Sequence, residues 1–107
     1  MTGTEYQEKA MRTAGEKSRG DLLENGVMGL CGEAGECIDL VKKYFFQGHE
    51  LDKLKLKDEL GDVLWYVAIT CEALNITLDD VMEHNVKKLL LRYPDGFEVE
   101  RSIHREV

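Results

Sequence analysis

Residues 27–45 read VMGLCGEAGECIDLVKKYF, and this stretch decides the fold. Its apolar side chains recur in steps of four and three residues, at Val27, Cys31, Ala34, Ile38, Val41 and Phe45. This spacing keeps them on one face of an α-helix. A second apolar stripe lies beside the first, at Leu30, Cys37, Leu40 and Tyr44. The segment therefore predicts a helix with a broad face directed toward a core.

Helical periodicity extends over most of the chain, and its one proline, Pro94, comes late. We predict an all-α, four-helix-bundle-like fold with helices at about residues 4–17, 21–46, 52–74 and 78–92. Thr4 and Thr77 are the predicted N-caps, and two aspartates in the first turn of the fourth helix suit its dipole. The chain forms a single domain over residues 1–107. Its core spans about residues 21–97, and residues 98–107 form an extended or disordered tail.

The predicted third helix carries a sign of a partner subunit. Beyond its acidic residues it is apolar nearly all round, and its second face carries Trp65, Tyr66, Ile69 and Ala73. A helix of this kind is usually buried on all sides, and four helices do not easily surround one of their own. We therefore expect a homodimer or a homotetramer in which this face contacts a second copy.

The composition argues against several classes of protein. The 107 residues suit one domain, and 43% of them are apolar, which is too many for a disordered chain. The 14 Lys and Arg against 21 Asp and Glu give a net charge of −7, which argues against nucleic-acid binding. The longest apolar run, residues 63–69, is too short to span a membrane, and residues 1–10 carry no secretory signal. We therefore expect a cytoplasmic protein without nucleic-acid or membrane partners.

Two acidic pairs are set within these apolar stretches. Glu33 and Glu36 are three residues apart on the predicted second helix, and so are Glu59 and Asp62 on the third. Residues at this spacing share a helix face, and buried carboxylates without partners are costly. A hard divalent cation resolves the conflict, because Mg²⁺ takes carboxylate and phosphate oxygens. Softer metals and a di-iron centre favour histidine, which these pairs lack; solvated helix edges remain the alternative.

The two acidic stretches, GLCGEAGE at residues 29–36 and ELGDVLWY at residues 59–66, resemble the MazG-like all-α nucleotide pyrophosphohydrolases. The family pattern is Glu-Glu-x-x-Glu, a spacer, and then Glu-x-x-Asp. The segment NVKKLLLRYPDGF at residues 85–97 resembles the family's C-terminal signature, so the likeness covers about residues 21–97. The first Glu of the pattern is Gly32 here, and smaller phage-type and dCTP-pyrophosphatase-like members often lack this glutamate too.

This resemblance implies hydrolysis of a nucleoside triphosphate, with ribose or deoxyribose, between its α and β phosphates. The products are a nucleoside monophosphate and pyrophosphate, and the cofactor is Mg²⁺, with Mn²⁺ as a substitute. The implied metal ligands are Glu33, Glu36, Glu59 and Asp62. The implied catalytic residues are Glu33, Glu36 and Glu59, with Glu36 or Glu33 taking a proton from the attacking water. Two alternatives stay open: a phosphoribosyl-ATP pyrophosphohydrolase-like enzyme, and a non-catalytic helical oligomerisation or regulatory module.

Substrate contacts are expected from the fourth helix. Lys88 and Arg92 are four residues apart and share a face, and Asn85 lies one turn before Lys88. With the resemblance, the candidates for contact with phosphate, ribose or base are Asn85, Lys88, Arg92 and Tyr93. Further candidates for base recognition, with core packing as the alternative for the tryptophan, are Trp65, Tyr6 and Gln7.

Overall fold

The computed structural model describes residues 1–16 and 19–106, with Arg19 as backbone alone. Over these residues the fold is all-α, as predicted. Its helices are α1 Gly3–Met11, α2 Arg19–Phe46, α3 Lys53–Ala73, α4 Leu78–Arg92 and α5 Val99–Ile103. The bounds of α4 and its N-cap, Thr77, agree with the prediction. The tail was wrongly expected to be extended or disordered, because it contains α5.

The first helix begins and ends earlier than predicted. Thr2 is its N-cap instead of Thr4: the Thr2 hydroxyl accepts a hydrogen bond from the Glu5 amide, and the Glu5 carboxylate accepts one from the Thr2 amide. This reciprocal capping box satisfies two amides that the first turn leaves unpaired. The helix ends at Met11, and the predicted end at residue 17 lies outside the described residues.

Helices α2 and α3 form an antiparallel pair whose closest approach depends on two glycines. A Cβ at Gly26 would collide with Thr70, and a Cβ at Gly29 would collide with the ring of Tyr66. Glycine in a helix costs about 1 kcal/mol of helix propensity relative to alanine. At these two positions that loss is offset by the close packing of the helices.

The core lies where α1 and the residues after it cross α3. Its buried centre consists of Ala14, Leu22 and Ile69. Trp65 packs against this centre, and its indole N–H donates to the carbonyl oxygen of Ala10 at 3.2 Å and to Oγ1 of Thr13 at 2.9 Å. Ile69 is wholly enclosed within the single chain. Ile69 was therefore wrongly expected to contact a second copy, whereas Trp65, Tyr66 and Ala73 on the same face stay partly exposed.

The leading apolar stripe of α2 does not face this core. Ile38 is 69% exposed and Val27 is 47% exposed, and Cys31 is exposed between them. The second stripe, which includes Leu30 and Leu40, is partly buried instead. The stripe that defines the helix in the sequence thus forms an apolar surface on the outside of the single chain. Even so, no helix in the described part of the chain has the length and apolarity to span a membrane.

A carboxylate joins the start of α4 to the start of α1. Asp79 accepts hydrogen bonds from the amides of Gly3 and Thr4, at 2.9 and 3.3 Å, and from the Thr4 hydroxyl at 2.6 Å. These bonds occupy donors that the first turn of α1 leaves unpaired. Thr4, predicted as the N-cap of α1, therefore contributes to a contact between helices.

Gln7 strengthens the same contact from inside the fold. Its side-chain amide donates to Glu72 at 3.0 Å and to the carbonyl oxygen of Ile76 at 3.1 Å. Its oxygen accepts a bond from the amide of Leu78 at 2.7 Å. Because the buried side chain is fully engaged within the fold, the structure assigns it packing and connection in place of base recognition.

Beyond its first turn, α4 leaves the body of the molecule. The apolar side chains of its second half are exposed, namely Val86, Leu89, Leu90 and Leu91. The radius of gyration is 16.8 Å, whereas a compact chain of this length has about 13 Å. Arg101 of α5 covers the end of the helix by donating to the carbonyl oxygens of Arg92 and Leu91.

Candidate functional site

The antiparallel pairing of α2 and α3 brings the two acidic pairs together. One carboxylate oxygen from each of Glu33, Glu59 and Asp62 lies within 4.8 Å of the other two. Several carboxylate oxygens that converge in this way suit a hard divalent cation. We call Glu33, Glu36, Glu59 and Asp62 the acidic cluster.

Two oxygens in the acidic cluster are buried and receive no hydrogen bond. They are Oε2 of Glu33 and Oε2 of Glu59, and no donor in residues 1–16 or 20–106 reaches either atom. A buried carboxylate oxygen without a partner is costly, and the cost falls when a cation binds it. The residues present therefore fit a metal ion.

The carboxyl groups of the cluster also raise one another's pKa. Glu36 lies outside the set of three converging oxygens, but its hydrogen bond to Glu59, together with the Glu59 charge, raises the pKa of Glu36 above its ordinary value. The pKa of Glu59 is also raised, first by its hydrogen bond to Glu33 and then by burial. Like charges held close together favour the protonated form. A divalent cation would remove the same repulsion without a proton.

The charge of the cluster influences Tyr6 of α1. Burial and the negative charge of Asp62 raise the pKa of Tyr6, so its hydroxyl lies within the field of that carboxylate. The sequence identified Tyr6 as a candidate but did not place it beside the acids. No local pattern carries that information, because the contact joins distant segments through the packing of α1 on α3.

One side of the cluster is open. A Cβ added at Gly32, Gly35 or Gly61 would meet no heavy atom of the described chain within 4 Å. Gly32 occupies the position at which the fuller family pattern has a glutamate. These glycines leave room beside the carboxylates for a ligand or a second chain.

The single chain does not bring the predicted contact residues of α4 to the acidic cluster. Asn85 and Lys88 lie beyond the turn that packs on α1, and Tyr93 packs its ring against Phe97 with centroids 5.2 Å apart. Across the described residues, no hydrogen bond or ion pair joins these three side chains to the acids. Arg92 lies at the end of α4, where its carbonyl oxygen accepts the bond from α5. Trp65 packs in the core, the alternative that the sequence left open.

Comparison with known proteins identifies a family. The family described as MazG nucleotide pyrophosphohydrolase domain matches residues 23–97, a range that includes the acidic cluster and all of α4. The Gene 37 protein of Mycobacterium phage L5 is 37% identical over 100 residues, which cover 85% of this chain and 88% of that protein. No solved structure matches the chain significantly.

Proposed function

The chain belongs to the family of MazG nucleotide pyrophosphohydrolase domains, and we propose that it hydrolyses nucleoside triphosphates between the α and β phosphates with Mg²⁺ as cofactor. Membership of the family supports nucleotide pyrophosphohydrolase activity in general. The observation that carries the metal dependence is the pair of buried oxygens, on Glu33 and Glu59, that lack a donor. The proposed ligands are Glu33, Glu36, Glu59 and Asp62.

The chain's own residues would bind the cation and accept a proton. When bound, Mg²⁺ would supply charge neutralisation, orientation of the phosphates and a lower pKa for a water molecule; Mn²⁺ also suits oxygen ligands. The water oxygen bonds to the α-phosphorus while the bond from that phosphorus to the bridging oxygen breaks. The electron pair of that bond leaves with pyrophosphate. Glu36 or Glu33 would accept the proton of that water molecule.

We further propose that the enzyme is a homodimer or a homotetramer. The leading stripe of α2 is exposed in the single chain, and a contiguous apolar surface normally marks an interface. Closed two-fold symmetry is the commonest way for identical chains to cover such a surface. A second copy would then bring its own α4 toward the acidic cluster of the first copy. The residues it would contribute to the substrate are Asn85, Lys88, Arg92 and Tyr93.

Two substitutions separate assembly from folding. Ile38→Asp places a charge on the exposed stripe of α2, so we expect light scattering to fall from two or four chains to one while helix content is kept. Ile69→Asp places a charge in the enclosed core, so we expect the chain to unfold, because an isolated buried charge costs several kcal/mol. A wild-type chain that is monomeric and fully active would contradict the proposed assembly.

Identification of the products tests the reaction. With Mg²⁺ and a panel of ribo- and deoxyribonucleoside triphosphates, we expect pyrophosphate and the monophosphate in equal amounts. Release of orthophosphate and a diphosphate would mean attack at the γ-phosphorus and would overturn the proposal. No turnover of any nucleotide, phosphoribosyl-ATP included, would favour the non-catalytic module.

A further inference from the structure

A basic corner lies where α2 leads into α3. A cavity of about 340 Å³ is found there, and its walls are formed by Leu40, Lys43, His49, Glu50, Asp52 and Lys55. Lys43 belongs to α2 and Lys55 to α3, so the pairing of the helices creates the cavity. Gly48, with φ of 71°, turns the chain here, and the amide of His49 donates to the carbonyl oxygen of Lys43. The backbone of the corner is therefore fixed.

Both lysines lie on the helix faces that carry the acidic cluster. Lys43 follows Glu36 by seven residues, and Lys55 precedes Glu59 by four, spacings that return to the same face of a helix. At about 1.5 Å per residue, these separations are about 10 Å and about 6 Å along the helix axes. Because α2 and α3 are antiparallel, both lysines lie toward the same end of the helix pair relative to the carboxylates.

The corner is positively charged within an acidic protein. Residues 42–57 contain five lysines against two acids, Glu50 and Asp52, a net charge of +3, while the whole chain has −7. Asp52 is engaged as the N-cap of α3, where it accepts a hydrogen bond from the amide of Lys55. The segment is therefore basic, and the cavity walls present the ammonium groups of Lys43 and Lys55 beside the carboxylates of Glu50 and Asp52.

The ammonium group of Lys43 can exchange its carboxylate partner for a ligand. It pairs with Asp39 at 2.9 Å on the surface of α2, and exposed pairs of this kind are weak. The hydrogen bond from Lys43, together with the charges of Lys42 and His49, lowers the pKa of Asp39. The cations at this end of α2 therefore stabilise a negative charge at Asp39. A phosphate group, which carries more charge than a carboxylate, forms stronger bonds with such cations.

A second cavity, of about 390 Å³ near the end of α4, is lined by Arg92, Arg101 and Arg105. The Arg101 guanidinium donates to the carbonyl oxygens at the end of α4. His104 pairs with Glu100 at 3.0 Å. This cavity belongs to α4 and α5, whereas the basic corner lies on the two helices that carry the acidic cluster.

We propose that Lys43 and Lys55 bind the β and γ phosphates of the substrate while its α phosphate lies at the acidic cluster. The inference rests on the proposed function and assigns the leaving group to the basic corner. Negative charge accumulates on pyrophosphate as the bond from the α-phosphorus to the bridging oxygen breaks. The two ammonium groups on the cavity walls stabilise that charge, and His49 forms the adjoining wall.

Binding of inorganic pyrophosphate, titrated by calorimetry in the presence of Mg²⁺, tests the corner without turnover. The double variant Lys43→Met with Lys55→Met keeps the length of both side chains and removes both charges. We expect it to bind pyrophosphate about tenfold more weakly, and to raise KM for a nucleoside triphosphate by a similar factor. The matched control is Lys57→Met. Lys57 is exposed, is absent from the cavity and points to the other side of α3, so its variant should bind within about twofold of wild type.

Two further measurements separate the possible outcomes. Mn²⁺ titration should give the same affinity in the double variant as in wild type, because the carboxylates are intact, and circular dichroism should give the same helix content. Unchanged pyrophosphate binding in the double variant would overturn the assignment, whatever the activity of the wild type. If wild type releases no pyrophosphate from any triphosphate, the proposed function fails. Loss of pyrophosphate binding in the double variant would then still support the corner as a pyrophosphate site.

Discussion

Asp79, at the contact of α1 with α4, and the acidic cluster, at the contact of α2 with α3, have opposite surroundings. At the contact of α1 with α4, Asp79 accepts three hydrogen bonds, and the bond from the Thr4 hydroxyl is the chief cause that holds its pKa below the ordinary value. In the acidic cluster, Glu59 faces other carboxylates, and its pKa is raised. The fold supplies every partner that Asp79 needs and leaves an oxygen of Glu59 without one.

This difference distinguishes a carboxylate whose hydrogen bonds are all made within the fold from one that would gain stability by binding a cation. Hydrogen-bond donors aimed at a carboxylate stabilise the folded state, whereas crowded carboxylates oppose it. A fold under selection for stability alone would place a cation or an apolar side chain in such a cluster. Local conflict of this kind is expected at functional sites.

Removal of one cluster charge should have the largest effect on function. Glu59→Gln keeps the shape of the side chain and removes a ligand charge, so we expect activity with Mg²⁺ to fall by at least about a hundredfold. The chain should still fold, because a neutral amide relieves the repulsion. The control is Asp58→Asn, the exposed neighbour outside the cluster, which should keep its activity. Wild-type turnover of Glu59→Gln at limiting Mg²⁺ would place Glu59 outside the site.

At the contact of α1 with α4, a substitution should lower stability and leave metal binding unchanged, which is the opposite of the expectation for the acidic cluster. Gln7→Ala removes three hydrogen bonds of a buried side chain and leaves the amide of Leu78 without its acceptor. We expect the free energy of unfolding, measured with urea, to fall by about 2–3 kcal/mol. Mn²⁺ affinity and KM should stay near wild type. A raised KM with unchanged stability would instead return Gln7 to the role in base recognition that the sequence suggested.

The local parts of this fold could be predicted because their signals are local. The bounds of α4 follow from Thr77 and Asp80, which form a capping box, and from the proline after its end. The meeting of the acids follows from equal spacing on two long helices. The site's open side, in contrast, depends on where the chain has no neighbour, which a sequence pattern does not encode.

The role of α1 could not be predicted for a related reason. Its nine residues include few large apolar side chains, yet α1 packs on the second face of α3, where Trp65 donates to the carbonyl oxygen of Ala10. These contacts join segments that are far apart in the chain, so the spacing of apolar residues in the sequence does not reveal them. The enclosure of Ile69 within the single chain was not predicted for this reason.

Two glycines of α2 sharpen the contrast between packed and open regions. Gly29→Ala would push a methyl group into the ring of Tyr66, so we expect the free energy of unfolding to fall by about 1–3 kcal/mol. Gly32→Ala meets open space and improves helix propensity, so we expect a gain of up to about 1 kcal/mol. Urea unfolding at one protein concentration compares the two variants. Equal effects would show that the region around Gly32 is as closely packed as that around Gly29.

The smallest expected effect is a pH dependence that differs between the two carboxylate sets. In metal-free protein, the raised pKa values of Glu36 and Glu59 mean that the folded chain binds more protons than the unfolded chain above the ordinary value of 4.5. Stability should therefore fall as pH rises from that value through the raised ones. Asp79 has a lowered pKa, so its contribution is present above 3.8 and is lost as pH falls through the lowered value.

Urea midpoints of chelator-treated protein between pH 5 and pH 8 test this expectation. The midpoint should decline with rising pH in wild type and decline less in Glu59→Gln, because one titrating carboxyl has been removed. Added Mg²⁺ should also flatten the decline, since a bound cation replaces the proton that relieves the repulsion. Asp79→Asn should lower the midpoint across this range and leave the slope unchanged, because Asp79 is ionised throughout. Identical slopes in wild type and Glu59→Gln would show that the crowded carboxylates do not govern stability in this range. The contrast between the two sets would then rest on hydrogen bonding alone.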